Sequence, residues 1–262
     1  RDYAVTGVQT CALPISVEFS TGHPVAPPIM PGWDDFPVRE YLEREFSCPA
    51  FVDNDVNIMT LGEQWAGVAR DVDDFIFVKI GTGIGAGIVC RGRIYRGSQG
   101  CAGDIGHIGI DGVDTICSCG NKGCLEILAG APAIARRAEE MIGQGKIKIL
   151  NPIYTEQGFI TCKDVGFAAS NGDVNCTELI RDAGRIIGQV LAKLINFYNP
   201  SLVVIGAYAG FGVVGGGYVN RLGELPPRAE YLLSVGTTLG VLALVVTAVV
   251  PAWRLGVRSR PT

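Results

Sequence analysis

Positive charge, histidine and internal repetition are what this sequence has least of. Lysine and arginine number 22 against 26 aspartates and glutamates, for a net charge of −4. They gather into no run, so no electrostatic footprint for nucleic acid is visible. Histidine occurs twice, at His23 and His107, so any site that needs an imidazole has two candidates. No repeat and no low-complexity tract is present, which excludes a solenoid or a fibrous array. With 262 residues and 48% hydrophobic content, disorder is excluded too, and the chain can bury one large core or two lobes.

Cysteine is not scarce. Nine are present, at 11, 48, 90, 101, 117, 119, 124, 162 and 176. An odd count in a long chain argues against a disulfide framework and for the reducing cytoplasm. The apolar stretch in "RDYAVTGVQTCALPIS" is too short and too polar for a signal peptide. Reverse-translated, Val5 to Ile15 resembles a common sequencing-library adapter, and residues 1–16 are expected to be such a scar, leaving Cys11 without function.

At the other end, "YLLSVGTTLGVLALVVTAVVPAW", residues 231–253, has no charged residue over a length that crosses a bilayer. Arg254, Arg258 and Arg260 follow it, which places a C-terminus in the cytoplasm if the run spans a membrane. The competing expectation is a buried terminal helix. "PRAEYLLSVGTTLGV" faintly resembles a segment of actinobacterial lipid II flippases, and residues 207–262 are expected to be foreign, joined chimerically to a cytoplasmic domain.

Between these ends strand and helix patterns alternate, the mark of an α/β architecture. "PAFVDND", 49–55, predicts a strand entering a polar turn, and "VNIMTLGEQWAGVAR" a helix. "FIFVKI", 75–80, predicts a buried strand, turned back by "GTGIG" into a second strand, "AGIVCRGRIY". Pro132 opens a helix, "PAIARRAEEMIG", closed by Gly143 and Gly145. "TELIRDAGRIIGQVLAKLINFYNP" carries Ile180, Ala183, Ile187, Leu191, Leu194 and Tyr198 on one stripe, with Asn199-Pro200 as the stop. "SLVVIG" follows as a strand. The 36 glycines concentrate in turns.

"CSCGNKGCLE", 117–126, holds three cysteines spaced too tightly to be independent core thiols, and a thiolate cluster needs a cation. Zinc with His107 as fourth ligand fits the spacing best. A redox pair competes, but the spacing is CxC where redox motifs use CxxC, and Gly120 and Gly123 suit a knuckle. "DND" offers carboxylates at Asp53 and Asp55 beside Asn54, and Asp55 can be either a helix cap or a general base. "GTGIGAG", 81–87, is a turn bare enough for backbone amides to approach phosphate. A strand follows it, so it is not a dinucleotide-binding fingerprint.

"GCAGDIGHIGI" followed by "CSCGNKGCLE" resembles the joint histidine and cysteine motif of the ROK family, bacterial sugar kinases and sugar-responsive repressors. "VDNDVNIMTLGE" and "VKIGTGIGAGIVCRGRIYRG" resemble the family's other central motifs in order, over about residues 17–206. The resemblance implies an actin-like ATPase (ribonuclease H-like) two-lobe α/β fold with an incomplete N-terminal lobe. It implies a structural zinc on His107, Cys117, Cys119 and Cys124, with His107 also serving the sugar. It implies Asp55 as the base that takes a proton from a sugar hydroxyl, with Asn54, Asp104, His107 and Glu126 holding the sugar, a hexose or N-acyl hexosamine. Gly81, Thr82, Gly83 and Gly85 would meet the phosphates of ATP, bound with Mg2+ in a kinase. Glu63 is expected to be a solvated helix residue. The implied partners are sugar, ATP and further copies of the chain in a homodimer or higher homo-oligomer. DNA enters only through an additional N-terminal domain, if the parent is a repressor.

Three departures from the family pattern stand out. Asp104 occupies a position where sugar kinases of the family usually carry Glu, a wording closer to the repressor branch. The opening strand and DxGxT phosphate turn are missing, and "VVIGAYAG", 203–210, departs from the glycine pair expected near adenosine. Asp55 with Asn54, Glu126 and the glycine-rich turn still lead to the expectation of an ATP-dependent sugar kinase parent, with the sensing domain of a repressor, toward which Asp104 and "VNIMTLGE" lean, as the alternative; with these departures this chain is expected to be inactive.

Overall fold

The computed structural model describes residues 17–25, 32–98 and 100–207. The adapter-like run, the apolar segment 231–253 and all of the expected foreign segment 207–262 except Ala207 lie outside them. No helix among the described residues is long and apolar enough to cross a membrane.

Strand β1 (Phe75–Ile80) is the centre of a four-stranded mixed sheet. It pairs antiparallel with β2 (Ile84–Cys90), from Phe75 opposite Val89 to Ile80 opposite Ile84, and parallel with β4 (Leu202–Ala207), Phe75 opposite Leu202. β3 (Arg93–Tyr95) adds to the free edge of β2, giving the order β3-β2-β1-β4. Successive side chains of a strand point to opposite faces, and both faces of β1 are covered. Phe75 and Phe77 pack with Val56, Ala69 and Val89 on one side. Ile76 and Val78 join a larger core on the other, with Leu125, Ile134, Ala138, Val165, Leu179, Ala183 and Val190. Each such side chain fully buried contributes about 1.5–3 kcal/mol, which is why a strand apolar at every position but Lys79 sits mid-sheet.

The first face is covered by α2 (Asp55–Ala66). The second is covered by α3 (Leu125–Ala129), α4 (Ala131–Gly143), α6 (Cys162–Ser170) and α7 (Val174–Tyr198), with α1 (Val38–Phe46) and α5 (Asn151–Gln157) completing the described helices. α7 buries Ala183, Ile187 and Leu191 of the expected stripe, together with Cys176, Leu179 and Val190. It begins before Thr177 because the Asp173 side chain caps the Cys176 N–H at 2.9 Å. Asn199, in the left-handed region, ends it. α6 starts on a capping box between Thr161 and Asp164, a sequence signal that was readable and overlooked.

Two strand expectations are corrected. Pro49 to Asn54 is irregular, with Phe51 71% exposed, because no strand among the described residues pairs with it and an unpaired strand has no ladder to hold it. "AGIVCRGRIY" is two strands, broken at Arg91-Gly92, whose φ angles of 50° and 72° make the primed two-residue turn of a tight hairpin. The helix expected to reach Arg70 stops at Ala66, where the Gly67 N–H closes on the Glu63 carbonyl at 3.0 Å.

Candidate functional site

The head of α2 is built by a three-residue division of labour. Asn54 Oδ1 accepts the Val56 N–H at 2.9 Å and caps the helix, a role the sequence had offered to Asp55. Asp53 faces inward, its side chain 7% exposed. One oxygen accepts from the Asn54 N–H (2.8 Å) and Asn57 Nδ2 (2.9 Å), the other from Arg96 Nε (2.8 Å) and Nη2 (2.7 Å). Asp55 is left pointing outward, 61% exposed, and its carboxylate is ion-paired with the Lys79 ammonium.

The opposite wall is the loop after β3. The Arg96 carbonyl accepts the Ala102 N–H at 3.0 Å, and the Ala86 N–H donates to Gly103 O at 2.7 Å. Gly103 has φ +93°, and a Cβ there would lie 1.8 Å from Ala86 O, so only glycine permits this approach. The loop then delivers Asp104 and a single 3-10 turn, Ile105–His107. Burial pushes the Asp104 carboxyl above the usual carboxylate range, helped by the nearby Glu126 charge and opposed by His107.

Glu126, in the first turn of α3, reaches under the glycine turn, where Oε2 accepts the Ile84 N–H at 3.0 Å. Asn54, Asp55, Lys79, Asp104, His107 and Glu126 thus converge, with Gly83 and Gly85, on one cleft of about 190 Å3. The other half of the glycine turn is tied elsewhere: Gly81 is buried, its carbonyl accepting the Ala131 N–H at 2.9 Å at the start of α4, and neither Gly81 nor Thr82 lines the cleft.

His107 joins this cleft to the cysteine loop. Its Nδ1 is 3.6 Å from Cys117 Sγ, and its Nε2 is 4.0 Å from Asp104 Oδ1. The loop is a small knuckle: Ile110 N–H bonds Gly123 O, Gly123 N–H bonds Thr115 O, and Cys117 N–H bonds Asn121 O, all at 2.7–2.8 Å. Gly120 (φ +87°) and Gly123 (φ +66°) supply its left-handed corners. One ligand atom from each of His107, Cys117, Cys119 and Cys124 lies within 4.8 Å of the others, and Cys119 and Cys124 are 3.6 Å apart. Zn–S bonds of about 2.3 Å at tetrahedral angles put sulfurs about 3.8 Å apart, so the four donors fit a tetrahedral ion. The described cysteines are all free thiols. The Cys117 thiol, though burial opposes it, is pulled down to about 7 by hydrogen bonds from the Cys119 N–H and from its neighbours' side chains. The Cys124 thiol is pushed up by burial, then by Cys119 and Cys117.

His23 is not part of this cluster; its Nδ1 is 2.7 Å from Asp35. Two residues of the site escaped the sequence reading. Lys79 had a signal, a lone charge in an otherwise apolar strand. Arg96 had none, because its partner Asp53 is 43 residues away.

Residues 13–221 match the ROK family. The chain is 41% identical over 177 residues to a glucokinase of Halalkalibacterium halodurans, covering 67% of this chain and 53% of that protein. It is 37% identical over 166 residues to the DNA-binding transcriptional dual regulator NagC of Escherichia coli, covering 63% of this chain and 40% of the regulator. The solved ROK family glucokinase of Streptomyces griseus, in complex with glucose and AMPPNP, aligns with a TM-score of 0.63 at 29% identity, over 69% of this chain and 59% of that one. The chain spans about half the length of the curated relatives it matches.

The mixed sheet covered on both faces, with its cleft at the head of α2, is that of the actin-like ATPase fold of the solved sugar kinases. Within that class the chain belongs to the ROK family, which unites glucokinases and repressors among its relatives.

Proposed function

We propose that the chain is the sugar-binding part of an ATP-dependent ROK sugar kinase, acting on a hexose or N-acyl hexosamine. The observation that supports this most is the convergence of Asp55, Asn54, Asp104, His107 and Glu126 on one cleft beside Gly83 and Gly85. Asp55 is the general base: exposed at the mouth of the cleft, its carboxylate takes the proton of the attacking sugar hydroxyl. Asp104, His107 and Glu126 hold neighbouring hydroxyls, and the Gly83–Gly85 backbone faces the phosphates of ATP bound with Mg2+. His107, Cys117, Cys119 and Cys124 hold a structural zinc, whose charge offsets the thiolates. His107 then keeps Nε2 toward the sugar.

ADP release by the full-length parent protein with glucose and ATP tests the reading. In Asp55→Asn the rate falls about 10²- to 10⁴-fold while glucose binding persists. An unchanged rate would sink the assignment. The likeness to NagC supports a second reading, a sugar-sensing domain of a repressor. Sugar-dependent release of operator DNA by the full-length protein, without ADP formation, would establish it.

A further inference from the structure

The cleft has three carboxylates, Asp55, Asp104 and Glu126, and among its described lining residues the sole lysine or arginine is Lys79. Alternation along β1 puts Lys79 on the face of Phe75 and Phe77, toward α2. Its cross-strand neighbours are Gly85 on β2 and Gly206 on β4. Directly opposed residues share a face, so neither flanking strand offers a side chain to fix the lysine stem. An ammonium on a stem of four methylenes, flanked by two bare positions and 22% exposed, can swing within the cleft while its backbone stays locked in the sheet.

A phosphoryl dianion entering beside three carboxylates needs a cation within contact distance. Gly83, where the chain turns after β1, borders the same space as Lys79. We propose that Lys79 is a phosphoryl-binding residue. Its ammonium pairs with Asp55 when the cleft holds no anion, and bridges Asp55 to the phosphoryl group of a ligand when one binds. The phosphoryl belongs either to a nucleotide or to a phosphorylated sugar. The inference rests on the sugar-site reading above, and extends it by assigning the charge recognition to one residue.

Calorimetric titration of the wild-type chain, Lys79→Met, Lys79→Arg and Asp55→Asn with glucose, glucose 6-phosphate and AMPPNP tests it. Lys79→Met loses about 10- to 100-fold in affinity for a phosphorylated probe, the magnitude of a charged hydrogen bond, while its glucose affinity stays within about three-fold. Lys79→Arg keeps most of the affinity, and Asp55→Asn, which removes the competing carboxylate, binds the same probe more tightly. Sensitivity confined to glucose 6-phosphate assigns the phosphoryl to the sugar; sensitivity confined to AMPPNP assigns it to the nucleotide. Equal loss for glucose and the phosphorylated probes overturns the proposal, as does a wild-type chain that binds neither phosphorylated probe, or a Lys79→Met chain that binds them unchanged. If glucose binds no form while a phosphorylated probe binds through Lys79, the sugar-site reading falls and the lysine assignment stands. Should Lys79→Met fail to fold, salt carries the test on the wild type: binding of the phosphorylated probe weakens with ionic strength and glucose binding does not, and equal sensitivity overturns the proposal.

Discussion

Arg96 holds Asp53 with two N–H donors on a single carboxylate oxygen, at 2.8 and 2.7 Å, while its guanidinium lies 3.7 Å over the ring of Phe19. This one side chain ties the head of α2 to the loop that carries Asp104. A carboxylate buried as deeply as Asp53 is left uncompensated when its partner is removed. Arg96→Met should therefore lower stability by about 3 kcal/mol, measured by urea unfolding, and an unshifted midpoint would refute the anchor.

The cysteine knuckle makes a prediction about composition. Purified under reducing conditions, the chain should carry about one zinc per molecule, and Cys119→Ser should lose most of it. A chelator should lower the melting temperature of the wild type and leave that of Cys119→Ser unchanged. Equal zinc in both proteins, by elemental analysis, would rule out the four-ligand site.

Glycine substitutions separate the site from the scaffold. A Cβ at Gly83 would lie 2.8 Å from Glu126 Oε2, so Gly83→Ala must push Glu126 off the Ile84 N–H, at a cost of about 1.5–3 kcal/mol for the charged hydrogen bond. Glucose binding should weaken with it. Gly62, inside α2 with open space around it, should instead accept alanine with a gain of up to about 1 kcal/mol. Equal effects at the two positions would count against the Gly83–Glu126 packing.

The His23–Asp35 pair carries a pH dependence. The pKa of His23 is raised above its ordinary 6.5, chiefly by the hydrogen bond its Nδ1–H donates to Asp35, with desolvation working against it and the Asp35 and Glu40 charges adding to it. The folded chain therefore holds this proton more tightly than the unfolded one. The stabilisation is complete below pH 6.5 and disappears as pH rises through the folded value. The protection factors of the amides of residues 18–23, taken relative to base-catalysed exchange of the unfolded chain, should fall from pH 6 to pH 8, and Asp35→Asn should flatten that profile; an identical profile in the variant would exclude the pair as its cause.

Much of the fold was legible where periodicity and chain neighbours agree. "FIFVKI" reads as a buried strand because every position is apolar but one, and α7 reads as a helix because its stripe recurs over several turns. The short helices α3 and α5 carry too few residues for a period to emerge. Pro49 to Asp55 misled because an apolar run predicts a strand only when a partner strand supplies its hydrogen bonds. "AGIVCRGRIY" misled because a two-residue reversal at Arg91-Gly92 interrupts an otherwise continuous pattern.

The sequence by itself determined the donors and the turns: three cysteines spaced for a knuckle, glycines where the backbone must turn left-handed, and an acidic pair around Asn54. Those are local properties, set by residue type and spacing along a few positions. Only the tertiary structure decided which carboxylate does what. Asp53 and Asp55 are two residues apart and chemically identical, yet Arg96 and Asn57 draw one inward while Lys79 meets the other at the mouth of the cleft. That difference comes from side chains placed by the sheet and by α2, and no spacing within "DND" encodes it.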